Sequence, residues 1–282
     1  MSDTPPSGPA VFGPYDQARL DLQYNNRSRV PDFATYLARY PEASARARAA
    51  LGGELDLAYG PGPRDTLDLF RPRAAKGKAP VLIFIHGGYW QGLDKFHFSY
   101  LARSWVREGA AVVALGYPIC PAVTMEALVA SVRAGVAWVA READGLGLDR
   151  RRIVVTGHSA GGHLTAMTMT GPGPDLAGAI ALSGLYDLEP IRLSYLNKAL
   201  KMSPETARAL SPVHLPRPRS GRLILTVGGA ESEEYHRQQD MLADAWDVEA
   251  RALPGLHHFS IVDTLADAAH PLFRTAAGML GL

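Results

Sequence analysis

The residues of this 282-residue chain that point most directly to chemistry are Gly157-His-Ser-Ala-Gly161. The pattern is G-x-S-x-G. It requires a sharp turn from strand to helix that lifts a serine hydroxyl above a sheet, with glycines letting the backbone fold tightly beside it. The flanking text meets that requirement. Ile153-Val-Val-Thr reads as a strand before the turn, and Gly162-His-Leu-Thr-Ala-Met starts a helix after it. A helix amino end also favours developing negative charge. Ser159 is therefore the candidate nucleophile, and the chemistry it suggests is attack on an acyl carbon.

Such a serine needs amide donors for the oxyanion, a base, and an acid that orients the base. His86-Gly-Gly-Tyr-Trp90 ends an apolar run, and its Gly-rich turn can supply the donors. The amides of Gly88, Tyr89 and Ala160 are assigned to the oxyanion hole, with Gly87 as a further contributor. His86 reads as structural, tying the turn together. Tyr89, Trp90 and His158 are candidates for binding substrate, although a core position fits the two aromatic residues equally well.

The base should come last in chain order, after the acid. Leu256-His-His-Phe259 follows Ala252-Leu-Pro-Gly, a strand-exit loop. His258, just before Phe259-Ser-Ile-Val, is the chosen base and His257 the runner-up. The acid is expected after the strand Leu223–Val227, where the loop reads Gly228-Gly-Ala-Glu231-Ser-Glu-Glu234. Glu231 stands at the strand exit and is chosen. Glu233 and Glu234 read as first-turn helix residues, a place that favours carboxylates. Asp187 is a weaker candidate, and Asp263 is assigned to the last helix.

These residues must be positioned by a sheet. Short apolar runs at 79–86, 110–115, 153–156, 178–182 and 222–227 read as strands buried on both faces. Helical stretches at 98–108, 125–143, 161–170 and 234–246 alternate with them, and a last helix runs from about 261 towards 282, broken at Pro271. This alternation predicts an α/β fold with a mainly parallel sheet covered on both sides. Residues 54–59 and 65–71 alternate apolar and polar, which predicts half-exposed antiparallel strands. Helices are expected over 16–22 and 33–51, with Pro31 and Pro41 near helix starts. We expect one domain over 1–282, with a loose Pro/Gly/Ser-rich arm at 1–14, an N-terminal helical cap at 15–52 and a lid segment at 185–215.

The composition narrows the function. With 29 basic and 28 acidic residues the net charge is +1, so the basic excess of a nucleic-acid binder is missing. The single cysteine, Cys120, excludes an internal disulfide and a thiolate metal cluster. No histidine pair lies at i, i+4 beside a glutamate, and no G-x-G-x-x-G opens a helix after the first strand, so neither a metal nor a dinucleotide cofactor is expected. No signal-peptide pattern and no membrane-length apolar stretch stand out, which makes a soluble cytoplasmic protein the default. The expected partners are a small ester or amide substrate and, for assembly, a second copy of the chain in a homodimer; neither nucleic acid nor a membrane is expected.

His86-Gly-Gly-Tyr-Trp90 together with Gly157-His-Ser-Ala-Gly-Gly-His163 resembles the arylformamidase (kynurenine formamidase) group of α/β-hydrolases, related to the hormone-sensitive-lipase-like esterases. The loop Glu231-Ser-Glu-Glu-Tyr-His-Arg-Gln238 is similar to that family's acid loop, where aspartate is usual, and His258 before Phe259 matches its histidine. Tyr24-Asn-Asn-Arg27 and Ser183-Gly-Leu-Tyr-Asp-Leu-Glu-Pro190 look like stretches of its bacterial members. The resemblance implies an α/β-hydrolase fold and a serine hydrolase cleaving short esters or aryl formamides such as N-formylkynurenine. An anionic amino-acid substrate would want a cation, for which Arg192, Lys198 and Lys201 are at hand in the lid segment. The rival reading is a non-catalytic ligand-binding protein on the same scaffold. Such proteins often lose a triad member, and here all three positions are filled.

Overall fold

Runs of Val, Ile, Leu and Ala can be buried on both faces only inside a sheet covered on two sides. The computed structural model, which describes residues 8–73, 77–218 and 221–282, forms such a sheet. Its strands are β1 (Glu54–Ala58), β2 (Thr66–Phe70), β3 (Ala79–Ile85), β4 (Ala111–Leu115), β5 (Leu148–His158), β6 (Gly178–Leu182), β7 (Arg222–Gly228) and β8 (Glu249–Leu253). They lie in the order β1-β2-β4-β3-β5-β6-β7-β8. The β1–β2 and β2–β4 pairs are antiparallel and every other pair is parallel.

The helices are α1 (Gln17–Gln23), α2 (Asn26–Arg29), α3 (Phe33–Leu51), α4 (Ala102–Arg107), α5 (Met125–Glu142), α6 (Ala160–Thr168), α7 (Glu189–Leu193), α8 (Asn197–Leu200), α9 (Pro204–Ala209), α10 (Glu233–Trp246) and α11 (Pro271–Met279). Alternate residues of a strand point to opposite faces. Along β3, Val81, Ile83 and Ile85 join the core under α5 and α6, while Leu82 and Phe84 join the core that includes Trp105 of α4 and Phe273 of α11. Leu223 and Leu225 of β7 pack with Leu242 and Trp246 of α10. The chain thus has the layered architecture of an α/β-hydrolase.

Register brings the ends of the parallel strands together. Ile85 pairs with Gly157, His158 with Leu182, Leu182 with Thr226, and Gly228 with Leu253. The segments that follow these residues therefore emerge along one edge of the sheet, where open α/β sheets hold their ligands.

Several elements differ from expectation. β2 is interior, and four of its five residues are buried. The polar member of its alternation, Asp68, is neutralised by Lys95, whose Nζ lies 2.5 Å away. Pro41 sits inside α3 rather than near its start. Two 3-10 turns, Lys95–His97 and Ser99–Leu101, precede α4. After a 3-10 segment at Ser260–Leu265, Pro271 begins α11 instead of breaking a longer helix, as suits a residue without an N–H to lose. The expected loose arm is docked from Val11 to Tyr15, where backbone bonds close a small turn and Phe12 packs beneath Arg237. Residues 1–7 of that arm lie outside the described residues. No described helix is long and apolar enough to cross a membrane.

Candidate active site

The end of β5 delivers Ser159 with φ 58° and ψ −119°. A non-glycine residue held there costs on the order of 1–3 kcal/mol and persists only where its surroundings enforce it. Here the Ser159 N–H donates to Leu182 O at 2.8 Å, and its carbonyl accepts from Gly162 N at 2.8 Å and His163 N at 3.1 Å. The glycines are a packing requirement. A Cβ on Gly157 would sit 2.2 Å from Gly161 O, and one on Gly161 would sit 2.0 Å from Ile85 O.

The turn after β3 lies against this elbow. A Cβ on Gly87 would come 3.1 Å from Ser159 Cβ. Gly88, Tyr89 and Trp90 all have positive φ, at 112°, 49° and 58°. Gly88 cannot be replaced without collision, because a Cβ there would meet Gly92 O at 2.2 Å. Among the described residues no acceptor engages the amides of Gly88, Tyr89 or Ala160, which leaves these three donors beside the serine.

His258 follows β8, and its Nδ1 meets Glu231 Oε2 at 2.6 Å. The second oxygen of Glu231 accepts from Gly228 N at 2.7 Å and from the Ser183 hydroxyl. The loop closes with Glu231 N donating to Gly228 O at 3.0 Å. The carboxylate thus folds back over its own turn, a reach that the extra methylene of glutamate permits. Ser159 is 2% exposed and His258 5%. The Tyr235 ring lies 4.8 Å from the His258 ring. Among the described residues no hydrogen bond joins Ser159 Oγ to His258. Such links often close only when substrate is bound.

The rival candidates are engaged elsewhere. His257 Nδ1 accepts from the amides of Phe259 and Ser260, and its ring packs on Tyr36. Asp187 pairs with Arg237, and Asp263 with Arg39. Glu234 accepts from Tyr24 and Arg237, and Glu233 from Tyr15. Arg192 is held by both oxygens of Glu189, and Lys198 and Lys201 are exposed.

The sequence reading of Trp90 as a substrate-binding residue needs correction. The ring is 0% exposed and lies in the core. Its indole N–H donates to His163 Nδ1 at 3.2 Å, and His163 Nε2 donates to Leu210 O at 2.8 Å. Trp90 therefore braces the turn after β3 against α6 and Leu210. His158 is buried with its ring 4.5 Å from His258, and its Nε2 has no protein partner among the described residues.

Against known proteins, a BD-FAE domain model matches residues 67–178. A kynurenine formamidase of Salmo salar is 31% identical over 92% of this chain and 93% of its own length. One from Danio rerio is 31% identical over 93% and 96%. The chain belongs to the kynurenine formamidase family. A proposed thioesterase from Silicibacter superposes with TM-score 0.86 at 31% identity, covering 92% of this chain and 98% of that one. The chain is accordingly a hydrolase of the esterase/formamidase type.

In this kynurenine formamidase-family chain, burial keeps the supporting histidines neutral. It pushes His86 and His163 down to about 4 and His158 well below the ordinary imidazole range. His86 stacks 4.1 Å from Tyr117 and contacts Gly87 O at 2.8 Å, so it props the turn. No group of three or more His, Cys, Asp or Glu gathers as a metal site among the described residues.

Sequence reasoning did not assign Ser183, Tyr235 or Asn26. Asn26 Nδ2 donates to Tyr89 at 3.0 Å and to Tyr235 at 2.8 Å, and the Tyr89 hydroxyl donates to Tyr24 O at 2.6 Å. A strand-exit serine such as Ser183 carries a faint signal, since it follows β6 at the same sheet edge as the others. Asn26 and Tyr235 carry none beyond their places in the quoted Tyr24-Asn-Asn-Arg27 and Glu231–Gln238 stretches.

Proposed function

We propose that this hydrolase cleaves aryl formamides and short-chain carboxylic esters through an acyl-enzyme on Ser159. His258 takes the serine proton, Oγ attacks the acyl carbon, and the amides of Gly88, Tyr89 and Ala160 receive the oxyanion. His258 then returns the proton to the leaving amine or alcohol, and water cleaves the acyl-enzyme by the same route. Glu231 holds the His258 tautomer and opposes the charge of the imidazolium. The observation that carries this reading is the 2.6 Å contact between His258 Nδ1 and Glu231 at the sheet edge where Ser159 emerges.

A small acyl group fits best. The bulky Tyr89 side chain, on the residue that supplies one of the oxyanion amides, is pinned by hydrogen bonds to Asn26 and Tyr235, and moving it aside for a long alkyl chain would cost about 1–3 kcal/mol for each polar group left unpaired. A formyl group demands almost no room. The relatives named kynurenine formamidase favour N-formylkynurenine as the natural substrate. His158, with its free Nε2, is a candidate donor or acceptor for substrate. Turnover of N-formylkynurenine measured beside p-nitrophenyl acetate and p-nitrophenyl hexanoate tests this. The account expects formamide and acetate to be cleaved well and hexanoate poorly. Ester turnover without formamide turnover would remove the formamidase branch.

A further inference from the structure

His163 stands one turn after Ser159 in α6, fully buried, and it bonds to both halves of the site. Its backbone N–H donates to Ser159 O at 3.1 Å. Its imidazole reaches the other way, to the turn after β3. The Trp90 indole N–H donates to Nδ1 at 3.2 Å, with the two rings edge to face at 5.2 Å and 85°. The far nitrogen, Nε2, lies 2.8 Å from Leu210 O. Backbone bonds close the turn on itself, from Gln91 N to Gly88 O at 3.0 Å, and fasten it to the loop after β4, from Cys120 N to Trp90 O at 2.8 Å. Neither of those two bonds reaches α6.

The partners fix where the imidazole proton sits. An indole nitrogen only donates and a carbonyl oxygen only accepts. Nδ1 must therefore be bare and Nε2 must carry the hydrogen, which is a single neutral tautomer. A proton added at Nδ1 would set N–H against N–H in a fully buried place. The turn needs this anchor because Tyr89 and Trp90 are consecutive non-glycine residues with φ 49° and 58°. Such conformations persist only where the surroundings enforce them. Tyr89 is tied through its hydroxyl to Tyr24 O at 2.6 Å, and Trp90 through its indole to His163.

We propose that His163, as the neutral Nε2–H tautomer, is a positioning residue for the oxyanion hole. Its backbone holds the elbow that carries Ser159 and the Ala160 amide, and its imidazole holds the turn that carries the Gly88 and Tyr89 amides. It acts through Trp90 and takes no proton during turnover. This inference rests on the reading of those three amides as the oxyanion donors. Burial supports it by holding the imidazole down at about 4, which keeps the Nδ1 lone pair free to accept at neutral pH.

A buried bond also contributes to stability, so the test must separate the two effects. Trp90→Phe removes the indole N–H, and His163→Leu removes its acceptor. Trp105→Phe is the control: its indole N–H donates to Leu265 O at 2.8 Å, in the core on the other face of the sheet. With p-nitrophenyl acetate, Trp90→Phe and His163→Leu are each expected to lower kcat roughly 10- to 100-fold with KM within about threefold of wild type. Both remove the same bond, so the double variant should lose no more than about threefold beyond the worse single one. An aryl trifluoromethyl ketone reads the oxyanion directly. Ser159 Oγ bonds to its carbonyl carbon, the serine proton passes to His258, and the carbonyl oxygen takes the charge. Its inhibition should weaken by the same factor as kcat/KM. Trp105→Phe is expected to lower the unfolding temperature while kcat and ketone affinity stay within about twofold of wild type. Retention of kcat within about threefold in Trp90→Phe or in His163→Leu overturns the inference, as do multiplied losses in the double variant or an equal loss in Trp105→Phe. Should His163→Leu not fold, Trp90→Phe against Trp105→Phe decides alone. A wild type that cleaves the ester but forms no ketone adduct on Ser159 removes the reading of the site itself, and this inference with it.

Discussion

Two regions meet over Ser159, and they are built by different means. The sheet edge below it is fixed by backbone. Strand register, the left-handed turn at Gly88, Tyr89 and Trp90, and the close contact of Gly157 with Gly161 leave no freedom for the serine or its amide donors. Residues 15–29 and the 185–215 segment are held instead by side chains: Leu20, Tyr24, Leu185, Ile191 and Leu210 lie in the core, and polar bonds tie the two segments together. Asp21 accepts from Tyr195 N at 2.9 Å, Gln17 donates to Leu193 O at 3.0 Å, and Ser232 donates to Gln23 O at 2.7 Å. Ser159 itself is 2% exposed. The sheet edge is suited to chemistry that needs fixed geometry, whereas each polar bond of the second region is worth only about 1 kcal/mol net.

The contrast predicts how substitutions should divide. The largest effect belongs to the sheet edge. Ser159→Ala should lower kcat by roughly 10⁴-fold or more with the fold intact, measured by ester turnover and circular dichroism. Glu231→Gln preserves shape but cannot hold the same tautomer, so a loss of roughly 10³- to 10⁴-fold is expected. A loss below tenfold would mean that Glu231 does not serve His258.

The neutral histidines of the lower region give it a pH signature. His86 and His163 are held near 4 when folded, against about 6.5 unfolded. Below pH 6.5 the unfolded chain therefore binds more protons. Stability present above 6.5 is lost as pH falls towards 4, on the order of 3 kcal/mol for each histidine. Urea unfolding at pH 7.0, 5.5 and 4.5 reads this directly, and a flat profile would contradict it. The smallest effect belongs to residues 15–29. Asp21→Ala should speed hydrogen exchange over residues 17–29 and change kcat by less than about threefold. An activity loss as large as that of Glu231→Gln would erase the distinction between the regions.

The same contrast explains what was legible in the sequence. The apolar runs of β3 to β7 and the turn around Ser159 are local patterns, and local patterns announce themselves. Glu231 and His258 could be chosen as candidates because chain order and strand exits restrict where an acid and a base can stand, and their side chains lie 2.6 Å apart. β8 carries no continuous apolar run, since it is an edge strand in which every residue is at least partly exposed. β2 looked half-exposed because Asp68 breaks its pattern, and only Lys95, 27 residues away, explains how that charge is buried. Trp90 was ambiguous for the same reason, because its partner His163 is 73 residues distant. Asn26 meets Tyr235 across 209 residues, and a polar contact of that separation has no periodic trace.

The account depends most on Ser159 as the atom that is acylated. Incubation with a fluorophosphonate, followed by peptide mass spectrometry, tests that directly. The predicted result is a single adduct on the peptide containing Gly157 to Gly162, abolished in Ser159→Ala and much slowed in Glu231→Gln. An adduct on another residue, or full ester and formamide turnover by Ser159→Ala, would contradict it.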